Sequence, residues 1–182
     1  MVTLTDIDII QLLRKNNLNQ DTLQEDVVAK LQSLNLKVAT AESCTGGLIS
    51  ERITRVSGSS AVFDCGVCSY ANEIKTKVLG VSEETLSILG AVSAETAIQM
   101  AEGVKKLSGA DIAVSTTGIA GPTGGTAEKP VGLVFMGVCT ADKAYAVKLM
   151  LGGVNTVNSR AYIRKLASDA ALFTVLSECH NR

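Results

Sequence analysis

Short apolar runs that alternate with amphipathic segments are the feature of this sequence that most constrains its fold. Residues 132–140, GLVFMGVCT, are apolar on both faces, as expected of a central strand in a covered sheet. Helical spacing of apolar residues occupies the segments between such runs. The alternation predicts an α/β sandwich. Five runs are predicted to be strands: residues 36–41, 61–70, 111–118, 132–140 and 144–151. The strand over residues 61–70 is expected to be buried.

Capping residues mark the starts of several predicted helices. Asp21 is the predicted N-cap of a helix over residues 21–34. Ser82 and Ser93 each precede a segment with acidic residues in its first turn, which suits the helix dipole. A last helix is predicted over residues 158–177. A short turn joins the final two strands as a hairpin, so the predicted sheet is mixed.

The length of 182 residues fits one ordinary domain, because a chain of this size can bury a substantial core. Apolar residues make up 46% of the chain and charged residues 19%, a balance typical of globular proteins. A short helix is predicted over residues 3–15, and residues 1–18 are predicted to form an N-terminal helical appendage. Residues 19–182 are predicted to form the single domain.

Charge and composition exclude several classes of partner. The formal net charge of −1 gives no electrostatic reason to bind nucleic acid or an anionic membrane. No apolar run reaches the length of a membrane span, and the N-terminus lacks the pattern of a secretory signal. An odd number of cysteines, five, indicates reduced thiols. We therefore expect a cytoplasmic protein with no nucleic-acid and no membrane partner.

The cysteine and histidine positions restrict the chemistry. Cys65 and Cys68 form a C-x-x-C pair, but a structural metal site needs further ligands and no second pair is present. The single histidine, His180, lies close to the C-terminus, which is a poor position for a catalytic base. This argues against a Ser-His-Asp triad, a Cys-His dyad and a histidine-bound zinc. Acid–base chemistry must then use Lys, Tyr, Asp, Glu or Cys.

The segment AESCTGG joins a predicted strand to a predicted helix. Amides at a helix N-terminus are unpaired and positively polarised, and Gly46 and Gly47 leave them open to an anion. Ser43 lies at the strand-to-helix junction, a common position for a nucleophile, but Ser43 or Thr45 can equally be the N-cap. Cys44 is either a rival nucleophile or a packed thiol.

Two further segments offer candidate residues. Residues 118–125 have glycines at G-x-x-G-x-x-G spacing, which matches no standard nucleotide motif. They predict a tight loop at a strand end, where open α/β sheets usually bind ligands. Tyr70 closes a predicted strand, and Lys75 lies in the next helix. A lysine can act as a general base if burial lowers its pKa, although a single lysine is more often on a solvated helix face.

Four blocks of the chain together resemble the C-terminal domain of the CinA competence-damage protein family. The resemblance covers residues 22–177 and implies a three-layer α/β/α sandwich with a five-stranded mixed sheet. The chain looks like the stand-alone form, without the molybdopterin-binding-like domain that often precedes this one. The blocks are TAESCTGGLIS, SGSSAVFDCGVCSYANEIKTKVLGV, LGAVSAET and TTGIAGPTGGTAEKPVGLVF.

The resemblance also implies an activity. Enzymes of this family are nicotinamide-nucleotide amidohydrolases, also called nicotinamide mononucleotide (NMN) deamidases, which recycle pyridine nucleotides in bacteria. They hydrolyse the carboxamide of NMN to nicotinate mononucleotide and ammonia, and no metal or organic cofactor is implied. The family motifs place the nucleophile at Ser43 and its Tyr/Lys partners at Tyr70 and Lys75. Residues expected to hold the substrate are Thr45, Gly46, Gly47, Gly118, Ala120, Gly121, Gly124 and Gly125.

One departure from the family pattern affects the phosphate contact. The family commonly has Gly-Asp-Arg before its last helix and a second arginine after it. Here the aligned residues are Asn158, Ser159 and Arg160, followed by Arg164. Arg160 is expected to bind the 5′-phosphate, with a surface arginine as the alternative. The alternative for the whole chain is an inactive homologue that binds a pyridine nucleotide or another phosphorylated ligand as a regulator. A homodimer is also expected.

Overall fold

The computed structural model describes residues 1–152 and 159–180. Its centre is a six-stranded mixed sheet with the order β1-β6-β5-β4-β2-β3. The β4–β5 and β5–β6 pairs are antiparallel, and the other neighbouring pairs are parallel. The predicted mixed sheet is confirmed, with one strand more than expected. The strands are β1 (Thr3–Thr5), β2 (Val38–Glu42), β3 (Phe63–Cys68), β4 (Ile112–Gly118), β5 (Leu133–Cys139) and β6 (Ala144–Met150).

Helices cover both faces of this sheet and complete three layers. A large apolar core lies under α1, α2, α3 and α7, and a smaller one lies under α4 and α6. No helix within the described residues is long and apolar enough to cross a membrane. The helices are α1 (Asp6–Lys15), α2 (Leu23–Leu34), α3 (Leu48–Thr54), α4 (Asn72–Leu79), α5 (Glu83–Ile88), α6 (Ala94–Ser108) and α7 (Ser159–His180).

The caps of these helices match the predictions in part. Ser82 and Ser93 cap α5 and α6 by accepting backbone N–H groups, as predicted. The predicted cap at Asp21 is wrong, because the N-cap of α2 is the next residue, Thr22, which forms no side-chain cap bond. The predicted start of the last helix, Asn158, lies outside the described residues.

The N-terminal segment differs from its prediction. Residues 3–5, expected to begin a helix, form β1 and pair in parallel with β6. Thr5 then caps α1, and its hydroxyl and Asp8 form a reciprocal capping box. Ile9 and Leu13 are buried in the same core as α2 and α7. The segment expected to be an appendage therefore contributes a strand and core side chains to the main fold.

The position of β3 corrects a second expectation. Residues 61–70 were predicted to be a buried strand, whereas β3 covers residues 63–68 and is the last strand of the sheet. Its side chains alternate between half-buried and exposed, and Cys68 is exposed. Apolar composition alone does not distinguish an edge strand from a central one, because the difference depends on sheet order.

A buried ion pair ties α3 to α2 and α7. The Arg52 guanidinium donates to the Asp169 carboxylate at 2.7 Å and to the Ser168 hydroxyl at 3.0 Å. It also donates to the Gln24 side-chain oxygen and to the backbone carbonyl of Gln20. The Arg52 and Asp169 side chains are 6% and 0% exposed. Removal of Arg52 would leave the buried Asp169 charge with only the partly exposed Lys165, 3.4 Å away, as an ionic partner.

We predict that Arg52→Ala lowers the free energy of unfolding by about 3–5 kcal/mol, the cost typical of breaking a buried pair. Arg55→Ala is the matched control, since Arg55 directly follows the same helix and forms an exposed pair with Glu51. That change should cost less than about 1 kcal/mol. Urea unfolding of the three proteins measures both values, and equal losses for the two variants would contradict this description of the pair.

Candidate active site

The turn between β2 and α3 holds the predicted nucleophile. The Ser43 amide donates to the Thr116 carbonyl at 2.9 Å and so extends the β2–β4 pairing by one residue. The Ser69 amide donates to the Glu42 carbonyl at 2.9 Å on the other side of β2. Gly46 and Gly47 have φ angles of 60° and 91°, which side-chain-bearing residues rarely adopt. Ser43 therefore emerges at the carboxyl end of β2, between the ends of β3 and β4.

Lys75 meets Ser43 at this point. Its Nζ atom donates to Ser43 Oγ at 3.1 Å and to the Ser69 carbonyl at 2.8 Å. The residue is only 1% exposed, although it lies in the first turns of a surface helix. Burial lowers the pKa of Lys75 below 10.5, and the nearby thiols of Cys44 and Cys68 oppose this in part. The amine thus lies within hydrogen-bond distance of the Ser43 hydroxyl, and its pKa is shifted in the direction that a general base requires.

Cys44 has the properties of a packing residue. It is buried in the larger core cluster. Burial raises the pKa of its thiol to about 12, so the thiol is protonated at neutral pH. The thiolate form required of a nucleophile is therefore disfavoured, even though Cys44 is the immediate neighbour of Ser43.

Tyr70 occupies the rim and not the Ser43–Lys75 contact. Its side chain is largely exposed, and its hydroxyl accepts a hydrogen bond from Arg160 Nη2 at 3.1 Å. Arg160 also donates through Nη1 to the Gly121 carbonyl at 3.0 Å. Arg160 thereby joins the start of α7, the segment between β3 and α4, and the glycine loop. The structure brings Ser43 and Lys75 together directly, and it groups Tyr70 with Arg160.

The remaining predicted binding residues are less uniform. Thr45 is fully buried, and its hydroxyl forms a 2.7 Å hydrogen bond with the Thr116 hydroxyl, so its side chain holds the turn in place. Gly118 ends β4, and Ala120 is buried. The Gly121 carbonyl accepts a hydrogen bond from Arg160, which links the glycine loop to the rest of the site. Gly124 and Gly125 lie beyond it, in the loop that leads to β5.

Two residues with contacts at this turn were not among the predicted site residues. Arg164 donates from Nε and Nη2 to the Thr45 carbonyl at 3.0 and 2.6 Å. The Glu42 carboxylate is fully buried and accepts the amides of Ile49 and Ser50 at the start of α3. A sequence signal existed for Glu42, since an acid that ends an apolar strand must either face solvent or find buried donors.

Metal ligands are not clustered in the part of the chain that the structure describes. No group of three or more His, Cys, Asp or Glu side chains there is arranged to hold a metal ion. Cys65 is half-buried and Cys68 exposed on β3, and these two cysteines do not form a disulfide. His180 ends α7 and is exposed.

The chain is similar to known proteins in sequence and in fold. The family model for the CinA C-terminal domain matches residues 20–179. A CinA-like protein from Kosmotoga olearia is 54% identical over 143 residues, which are 78% of this chain and 35% of that protein. The chain spans about a third of the length of the curated relatives it matches.

Two solved structures share the architecture. The competence/damage inducible protein CihA from Agrobacterium tumefaciens is 42% identical with a TM-score of 0.81, and the match covers 87% of this chain and 94% of that one. A CinA superfamily protein from Klebsiella pneumoniae is 29% identical with a TM-score of 0.83, covering 90% and 99%. The chain belongs to the CinA C-terminal domain family.

Proposed function

We propose that this protein is a serine amidohydrolase that converts nicotinamide mononucleotide to nicotinate mononucleotide and ammonia. The observation that carries the proposal is the 3.1 Å hydrogen bond between Ser43 Oγ and the buried Lys75 amine. A hydroxyl is a weak nucleophile until a neighbouring base takes its proton. The lowered pKa of Lys75 allows it to serve as that base without a histidine. The family resemblance supplies the substrate.

The reaction follows from this geometry in two steps. Neutral Lys75 takes the Ser43 proton as Oγ attacks the carboxamide carbon, and a tetrahedral oxyanion forms. Protonated Lys75 then returns the proton to the leaving nitrogen, and ammonia departs as the C–N bond breaks. Lys75 then deprotonates a water molecule, which attacks the ester carbon; the C–Oγ bond breaks, Lys75 returns the proton to Ser43 Oγ, and the acid product leaves as the carboxylate after losing its proton to solvent. The cycle regenerates Ser43 and needs no cofactor.

The surroundings of Ser43 provide groups for the oxyanion and the phosphate. Glu42 already occupies the amides of Ile49 and Ser50, and the Gly46 amide donates to the Ser43 carbonyl, so the oxyanion is assigned to the remaining amides of the turn over residues 44–47. Arg160 lies at the rim, where its guanidinium donates to two neutral oxygens, the Gly121 carbonyl and the Tyr70 hydroxyl. A guanidinium suits the two-pronged binding of a phosphate, so Arg160 is assigned to the 5′-phosphate of the mononucleotide.

The assay of ammonia release from nicotinamide mononucleotide tests this proposal. We predict that Ser43→Ala and Lys75→Met each lower kcat by at least about a thousandfold, as when members of a catalytic unit are removed. Cys44→Ala is the matched control beside the nucleophile and should keep kcat within about threefold, since its thiol only packs. Binding of the mononucleotide by wild type without ammonia release would favour a regulatory protein and overturn the enzyme assignment.

The proposed base must also be costly to bury when protonated. Between the lowered pKa of Lys75 and 10.5, the unfolded chain binds a proton that the folded chain does not. Stability conferred by Lys75 therefore rises with pH across this window. We predict that the free energy of unfolding of wild type, minus that of Lys75→Met, increases as pH approaches 10.5.

Urea unfolding at a series of pH values measures this difference. Lys77→Met provides the control, because Lys77 lies exposed on the same helix. Its difference from wild type should stay constant over the same range. Parallel pH curves for wild type and Lys75→Met would show that burial does not perturb this amine.

A further inference from the structure

Glu42 is a buried acid that accepts hydrogen bonds from neutral groups. It is fully buried at the end of β2, directly before Ser43. Its Oε2 atom accepts the Ile49 amide at 3.0 Å, and Oε1 accepts the Ser50 amide at 2.8 Å and the Ser50 hydroxyl at 2.7 Å. These amides belong to the first turn of α3, where the helix dipole favours a negative charge. The carboxylate thus fixes the start of α3 against the end of β2.

The protein provides a built environment for this carboxylate. The Ser50 hydroxyl also lies 2.7 Å from the Thr40 hydroxyl, two residues before Glu42 on the same face of β2. On the neighbouring strand, a Cβ atom at Gly66 would lie 2.5 Å from Ser50 Oγ and 2.9 Å from Thr40 Oγ1. Gly66 therefore leaves the space that the Thr40–Ser50–Glu42 hydrogen-bond chain requires.

The same residue also connects to the base. The Glu42 carbonyl accepts the Ser69 amide, and the Ser69 carbonyl accepts the Lys75 amine. The side chain of Glu42 therefore anchors the turn that carries Ser43. The backbone of Glu42 positions Ser69, whose carbonyl accepts a hydrogen bond from Lys75. The intervening turn contains two adjacent glycines, so it has little conformational stiffness of its own.

We propose that Glu42 is a positioning residue that holds Ser43 Oγ within hydrogen-bond distance of Lys75. This inference rests on the proposed amidohydrolase function. The carboxylate clamps both ends of the glycine-containing turn, from Ser43 to the start of α3. Without the clamp the turn samples other conformations, and the nucleophile and base separate in a fraction of the molecules. Small displacements of this kind have large effects on rate, because attack requires close alignment of the reacting atoms.

Glu42→Gln tests the clamp with little change in shape. The side-chain amide keeps one acceptor oxygen but turns an NH2 group toward a backbone N–H donor. We predict a fall in kcat for ammonia release of about tenfold to a hundredfold, with KM within about threefold of wild type. The pH of the kcat inflection should not move, because Lys75 remains the base. Ser50→Ala removes one of the three hydrogen bonds and should give a smaller loss in the same direction.

Glu51→Gln is the matched control, since Glu51 is an exposed acid on the same helix. It should leave kcat unchanged. If Glu42→Gln and Ser50→Ala lower the melting temperature but keep wild-type kcat, Glu42 is structural only and the inference is wrong. A shift of the pH inflection would also overturn it, by making Glu42 part of the proton transfer.

Amide hydrogen exchange provides a readout that does not need turnover. The amides of Ile49 and Ser50 should exchange faster in Glu42→Gln than in wild type, while amides in β4 keep their rates. This result would support the clamp even if wild type released no ammonia, in which case the proposed function alone would fail. Unchanged exchange at both amides would contradict the clamp whatever the activity.

Discussion

The arrangement of this site depends on one buried amine. Lys75 is almost fully excluded from solvent, and its Nζ atom is held by one hydroxyl and one backbone carbonyl. Neither partner is charged, so neither compensates an ammonium as a carboxylate would. The pKa of Lys75 is therefore lowered, so the neutral form is more populated than in an exposed lysine, and a neutral amine can take a proton from Ser43. The chemistry proposed for this chain follows from that environment and not from a histidine.

Sheet order explains why these residues meet. Strands β3, β2 and β4 are parallel neighbours, so their carboxyl ends lie side by side at the same end of the sheet. Ser69 follows β3, Ser43 follows β2, and Thr116 lies near the end of β4. Open α/β sheets commonly bind ligands at the carboxyl ends of their strands. Helix α7 then adds Arg160 and Arg164, one helical turn apart, to the rim and to the turn.

Much of this could be predicted from the sequence, and the parts that could not share a physical cause. Apolar runs and capping serines predict β4, β5, β6, α5 and α6, because each of these sequence patterns lies within or next to the element it predicts. Strand β1 is three residues long, too short for any period to show, and the edge position of β3 depends on sheet order. The contact from Arg164 to the Thr45 carbonyl joins residues 119 positions apart, and no local pattern encodes it. The position of the lone histidine indicates a base of another residue type, but the burial of Lys75 and its distance from Ser43 are properties of the packed fold.

The central claim is that Lys75 activates Ser43, and covalent labelling tests it most directly. A fluorophosphonate probe, which reacts with activated serine hydroxyls, can be followed by peptide mass spectrometry without any choice of substrate. We predict labelling at Ser43, at a rate that rises with pH through an inflection below 10.5. Labelling should be lost in Lys75→Met. Labelling of another residue, or an equal rate at Ser43 in Lys75→Met, would contradict it.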